Sequence, residues 1–144
     1  PKLYFYDTGL VSRLLGLNEV NQVVGHPQWG NLVENWCVME VLKSRWHRGL
    51  PEGLSNWRSS DGHEVDLVLE AGGRCHPIEI KAHQTTDPGL AASIRWWQST
   101  AASKGQTDAG QGWVVYGGDQ ELDLGNVRMV PWHGIATALG GIGP

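Results

Sequence analysis

The stretch from Gly62 to Lys81 constrains this chain more than any other. Val65, Leu67 and Leu69 alternate there with Glu64, Asp66, Val68 and Glu70, and Ile78 and Ile80 alternate with Glu79 and Lys81. Period-two alternation sends successive side chains to opposite faces of a strand. Between the two runs lies Gly72-Gly73, a pair suited to a two-residue hairpin turn because such turns need positive φ. A hairpin closed there sets Asp66 opposite Glu79 and Glu64 opposite Lys81.

Directly opposed residues share a sheet face, with Cβ atoms about 4.5–5.5 Å apart. Two carboxylates so placed repel each other unless a positive charge lies between them. A divalent cation supplies that charge, and carboxylate oxygens suit Mg²⁺ or Mn²⁺. Lys81 on the same face can orient an attacking water and steady charge on a phosphate. The competing reading is a solvated strand face with one cross-strand salt bridge. Three features weigh against it: facing acids are a cost on a plain surface, the turn is strongly specified, and Glu34 lies upstream at the edge of an apolar helix face. A carboxylate there needs a reason, though helix capping is one available reason.

The remaining chain reads as a frame for that hairpin. Lys2–Tyr6 is strand-like and leads into a helix that Asp7 or Thr8 can cap, with Leu10, Val11, Leu14 and Leu15 as its stripe and Gly16 as its stop. Residues 18–30 read as loop. Asn31–Trp46 is the longest helix, capped by Asn31 and apolar most of the way round, which predicts burial on more than one side. Strands are predicted at Leu54–Arg58, Glu64–Glu70 and Pro77–Ala82. Asp87-Pro88 starts a helix that runs to about Lys104, with Leu90, Ile94, Trp97 and Ala101 on one face. Strands Trp113–Tyr116 and Val127–Trp132 and a closing helix His133–Leu139 follow. The order describes one α/β domain over residues 1–144, a mixed sheet with helices on its faces.

Composition narrows the function classes. Hydrophobic residues at 40% and charged residues at 18% mark a globular chain rather than a disordered one. No run approaches the roughly 18 apolar residues of a membrane helix, and no basic-then-apolar leader is present, so a soluble, cytoplasmic protein is expected. Cys37 and Cys75 lack zinc-site spacing and read as free, partly buried thiols. His63, His76 and His83 flank the acids, again without zinc spacing, and read as surface or strand-end histidines. The net charge of -4 argues against a broad basic footprint for nucleic acid. Lys43, Arg45, His47 and Arg48 form one dense basic cluster, either a local phosphate-binding patch or a solvated helix end. Arg58 can reach a phosphate or pair with a nearby acid. Trp96 and Gln98 are candidates to face a substrate, whereas Trp97 reads as core. Eight tryptophans against one phenylalanine predict half-buried indoles with partnered N–H groups.

The acids and lysine, D-x(n)-E-x-K after a helical glutamate, resemble the PD-(D/E)XK superfamily, the fold of restriction endonucleases and archaeal Holliday-junction resolvases. Several blocks also resemble the domain of unknown function that follows the ATPase module in a group of prokaryotic AAA-type ATPases: PKLYFYDTGL, GNLVEN with EVLK, WRSSDGHEVDLVLE, PIEIKA and VVYGGD. The resemblance covers nearly the whole chain and implies a restriction-endonuclease-like mixed sheet. It implies Glu34, Asp66, Glu79 and Lys81 as catalytic positions. Asp66 and Glu79 would hold Mg²⁺ or Mn²⁺, with the Ile80 carbonyl as third ligand. Val65 stands where many members have proline. The resemblance further implies DNA as substrate, homodimers as in junction-cutting relatives, and an AAA-type ATPase module ahead of residues 1–17. No G-x-x-x-x-G-K-[ST] loop occurs here, so no ATP site is expected within this segment. A silent nuclease fold that binds nucleic acid or docks to its ATPase is the alternative, and a purely structural domain a third.

Overall fold

Gly72 and Gly73 take φ values of 60° and 69°, the positive angles that a two-residue hairpin requires. The computed structural model describes residues 2–104 and 108–143; Pro1, residues 105–107 and Pro144 lie outside the described residues. Three helices come first, α1 (Thr8–Leu14), α2 (Val20–Val24) and α3 (Trp29–His47). The hairpin region follows as β1 (Leu54–Arg58), β2 (Glu64–Ala71) and β3 (Arg74–Ile80). A 3₁₀ turn, Pro88–Ala91, opens α4 (Ala92–Lys104). Next come β4 (Asp108–Ala109), β5 (Gly112–Tyr116), β6 (Leu122–Asp123) and β7 (Val127–Pro131). The 3₁₀ turn Trp132–Gly134 leads into α5 (Ile135–Ala138).

The strands form one mixed sheet in the order β1-β2-β3-β5-β7-β6, with β4 pairing β3 beside this path. β1, β2 and β3 are antiparallel neighbours, while β3, β5 and β7 run parallel. Parallel neighbours need a crossover, and α4 supplies the one between β3 and β5. Every residue of β5 is buried, as expected of a central strand covered on both faces. Trp113 and Val115 pack with Cys37, Val41, Ile78 and Leu139 on the side of α3 and α5. Val114 and Tyr116 pack with Ile94 and Met129 on the side of α4. The mixed α/β architecture thus agrees with the sequence pattern, helices on both faces included.

Several boundaries differ from expectation, each for a physical reason. Lys2–Tyr6 joins no ladder. Its backbone is held by a side chain instead: Asn35 Oδ1 accepts from the Phe5 N–H at 2.7 Å, and Asn35 Nδ2 donates to the Phe5 carbonyl at 2.9 Å. A buried amide on α3 thereby does the work of a neighbouring strand. The expected stripe of α1 is not core, since Leu10, Leu14 and Leu15 are all exposed. Residues 18–30 contain α2, closed by a capping box between Glu19 and Gln22. Asn31 does not cap α3; the helix begins at Trp29, and Asn31 donates to the Gln28 side chain.

The basic cluster on α3 divides as well. Arg45 is buried and donates to the carbonyls of Pro51 (2.7 Å) and Ile142 (2.8 Å), so it ties α3 to two loops. Lys43 lies 3.7 Å from Glu40. The cysteines are free, as read from their spacing, with Cys37 buried. No helix among the described residues is long and apolar enough to cross a membrane.

Asn35 is the residue on which the N-terminal segment depends. Asn35→Ala strands two backbone groups of Phe5, and we expect it to cost about 1–3 kcal/mol of stability in urea titration. Hydrogen exchange should show the Phe5 amide losing its protection while the amides of β5 keep theirs.

Candidate active site

The pairing of β1 with β2 shifts register partway along. Leu54 and Ser55 face Leu69 and Val68, but Trp57 and Arg58 face Val65 and Glu64. Strand β2 therefore carries one residue more than β1 between Val65 and Val68, a β-bulge at Asp66-Leu67. Bulges bend a strand and re-aim its side chains. This one breaks the alternation read from the sequence: Val65 packs with Val68 and Trp97 on the α4 side, whereas Leu67 and Leu69 pack on the α3 side.

The β2–β3 ladder keeps the predicted register from Ala71↔Arg74 to Leu67↔Ile78. Beyond that pair Asp66 was expected to sit directly across from Glu79. Its carboxylate instead accepts the Ile80 N–H, Oδ2 to N at 2.8 Å, a bond that a ladder carbonyl would otherwise make. Glu79, at the end of β3, is buried and accepts from Ser93 Oγ on α4 at 2.7 Å. Its other oxygen pairs with Lys81 Nζ. Lys81 lies just past β3, and its backbone is pinned on both sides. Its N–H donates to the Val115 carbonyl at 2.8 Å, and its carbonyl accepts from Trp132 Nε1 at 3.0 Å. Trp29 Nε1 holds the next carbonyl, that of Ala82, at 3.2 Å. Two of the half-buried indoles thus serve the backbone of the site.

Above these acids runs the Lys2–Tyr6 segment. Lys2 Nζ lies 2.8 Å from Glu64, 2.9 Å from Glu34 and 3.7 Å from Asp66. Tyr4 donates its hydroxyl to Glu34 at 2.7 Å. Glu34 therefore does not cap α3 but faces the cleft. The cleft has a volume of about 810 Å³ and is lined by Glu34, Glu64, Asp66 and Glu79 together with Lys2 and Tyr4.

Of the sequence candidates, Glu34, Asp66 and Glu79 meet here, with Lys81 on Glu79. Glu64 does not find Lys81; it pairs with Lys2 and, at 3.8 Å, with Arg58. Arg58 makes the salt bridge of one of its two readings, and its side chain stays well exposed. Gln98 does not face the cleft. It is buried and donates to the carbonyls of Gly110 (3.0 Å) and Asn126 (3.3 Å), bracing α4 against the ends of two loops. Trp96 stacks on His63 with ring centroids 3.9 Å apart. Lys2, Tyr4 and Ser93 were missed, because no local periodicity connects them to residues 14 to 64 positions away.

Residues 29–135 match the family described as "Domain of unknown function (DUF4143)". The chain belongs to the DUF4143 family. Curated relatives of this DUF4143 domain include uncharacterized proteins of Mycobacterium bovis and Mycobacterium tuberculosis, each 36% identical over 95 residues. The match covers 66% of this chain and 20% of each relative, so the domain spans about a fifth of the length of the curated relatives it matches. No solved structure matches it.

The charges of the DUF4143 cleft are unevenly balanced. Burial first, and the charge of Glu79 second, push the Asp66 carboxyl up to about 6; the Ile80 N–H and Lys2 pull the other way without prevailing. Glu64 is held below the ordinary carboxylate range, chiefly by its hydrogen bond from Lys2. Burial opposes the Lys2 charge, but hydrogen bonds to Glu64 and Glu34 outweigh it and hold the ammonium protonated.

The side chains of Glu34, Glu64, Asp66 and Glu79 offer only oxygen donors to the cleft, the donor type that hard divalent cations take. Among the described residues no group of three or more His, Cys, Asp or Glu side chains gathers closely enough to hold an ion. Further ligands would then come from backbone carbonyls or water, as is usual for Mg²⁺.

Asp66 makes stability fall with pH. Unfolded, it titrates near 3.8, and folded, near 6. Between those values the folded chain keeps a proton that the unfolded chain has released, so stability drops as pH rises through the window and stays low above it. In EDTA, Asp66→Asn, which can still accept the Ile80 N–H, should be about 1–3 kcal/mol more stable than wild type at pH 7. Urea titrations should show this advantage fading toward pH 4.

Proposed function

We propose that this DUF4143 domain is a metal-dependent nuclease module of restriction-endonuclease-like fold that hydrolyses DNA phosphodiester bonds. The observation that carries the reading is the bulge in β2. It delivers the Asp66 carboxylate to the Ile80 N–H, beside the buried Glu79 and its partner Lys81. Bulges concentrate next to active sites because they aim one side chain out of an otherwise regular ladder.

In this reading Asp66, Glu79 and the Ile80 carbonyl hold Mg²⁺ or Mn²⁺, which when bound polarises the scissile phosphate and acidifies water. Both Glu79 oxygens already accept a hydrogen bond, yet each keeps a second lone pair for a ligand. Lys81, fixed by its backbone bonds and by Glu79, positions the attacking water and steadies charge on the phosphate. Glu34 acts from α3 through the hydration shell of the site. The ion also removes the repulsion between Asp66 and Glu79 that burial makes costly.

A second reading has its own support. The ammonium of Lys2 already occupies the acid cluster, and Leu3, Phe5, Tyr6, Leu10 and Leu14 expose apolar surface along the same N-terminal stretch. A silent module would use that surface to dock against an AAA-type ATPase module in the same polypeptide. The length of the curated relatives leaves room for one.

Mn²⁺ titration by calorimetry separates the two. Wild type should bind Mn²⁺, Asp66→Ala should not, and circular dichroism should show both folded. Lys81→Ala should keep the ion but lose cleavage of linear and branched DNA by a factor of about 10² or more. A folded wild type and a folded Lys2→Gln that both ignore Mn²⁺ would leave the docking module as the function.

A further inference from the structure

The cleft holds a cation of its own. Lys2 Nζ is in contact with three carboxylates from two separate elements, Glu34 on α3 and Glu64 and Asp66 on β2. Its position at Asp66 is specific. Oδ2 of that carboxylate is committed to the Ile80 N–H at 2.8 Å, and Lys2 lies 3.7 Å from the other oxygen, Oδ1. Oδ1 is therefore the oxygen that an incoming ion would most readily use, and the ammonium stands beside it.

The ammonium is also tethered. Three residues on, Phe5 is clamped through both backbone groups by Asn35, and Tyr4 is bound to Glu34. A tethered group competes at the high effective concentration that a short linker imposes. A divalent ion and an ammonium at one carboxylate repel each other, more strongly in a half-buried cleft than in water.

Resting on the metal-site reading above, we propose that Lys2 is an intramolecular counter-cation that a divalent ion must displace, so that the Lys2–Tyr6 strap sets the ion affinity of the site. With the strap docked, the acids are neutralised internally and the site is closed to metal. With the strap drawn away from α3, Glu34, Glu64 and Asp66 lose their shared partner and turn to the ion. Binding of any group that prefers the strap undocked then loads the site, and by linkage ion binding loosens the strap by the same factor.

The test compares wild type, Lys2→Gln and Lys2→Arg by calorimetric Mn²⁺ titration, and by urea unfolding in EDTA. Lys2→Gln should bind Mn²⁺ about tenfold or more tighter than wild type, within the usual range of coupling between two linked sites. Lys2→Arg, which keeps the charge, should bind no tighter than wild type. In EDTA, Lys2→Gln should unfold at lower urea than wild type, and much less so in an Asp66→Asn, Glu64→Gln background. Equal Mn²⁺ affinity in wild type and Lys2→Gln, with binding abolished by Asp66→Ala, overturns the displacement while leaving the metal site intact. Absence of Mn²⁺ binding from wild type and Lys2→Gln alike overturns the metal site and the displacement together. A destabilised Lys2→Gln would in that case identify Lys2 as a permanent structural ion pair.

Discussion

One extra residue in β2 determines how this cleft is built. Without the bulge at Asp66-Leu67, β2 would continue its ladder with β3, and the Ile80 N–H would meet a backbone carbonyl. With it, the Asp66 carboxylate makes that bond, and an acid enters a largely buried position with a single strong donor. The cost is visible in its titration, displaced upward by burial and by Glu79. Glu34 adds to that cost, and three contacts offset it: Ser93 and Lys81 engage Glu79, and Lys2 brings positive charge to Asp66 from above.

The scaffold keeps these groups in place through rigid parts. β3 is wedged between β2 and the fully buried β5, and its exit is tied down by the Val115 carbonyl and two tryptophan N–H groups. α3 packs across the sheet and carries Glu34 and Asn35 next to each other, one facing the cleft and one clamping the N-terminal segment. An acid and its counter-charge are thus referred to the same helix. The charge balance of the cleft is therefore tied to how the Lys2–Tyr6 segment docks on α3, where Tyr4 both bonds Glu34 and packs against the core.

Much of this was legible in the chain. The Gly-Gly turn, the register from Ala71↔Arg74 to Leu67↔Ile78, the free cysteines, the helix start at Asp87-Pro88 and the core position of Trp97 follow from local rules of turn geometry, alternation and capping. The face assignment of Val65 failed because alternation presumes an unbroken ladder. A bulge is specified by the neighbouring strand, here by where Trp57 and Arg58 find partners. Gln98 failed in a different way. A polar residue on a helix near a candidate site looks available for substrate, but two loop carbonyls from distant sequence needed a donor.

Lys2 and Tyr4 show the general limit. Hydrophobic period and turn chemistry act over a few residues, so the sequence by itself determined the hairpin, the acids on it and the mixed α/β arrangement. Which acids meet Lys2 is decided over 32 to 64 positions of chain separation, by packing of α3 against the sheet and by the path of the N-terminal segment. Electrostatic pairing falls off with distance in space, not along the chain. Only the tertiary structure could therefore place Lys2 among Glu34, Glu64 and Asp66.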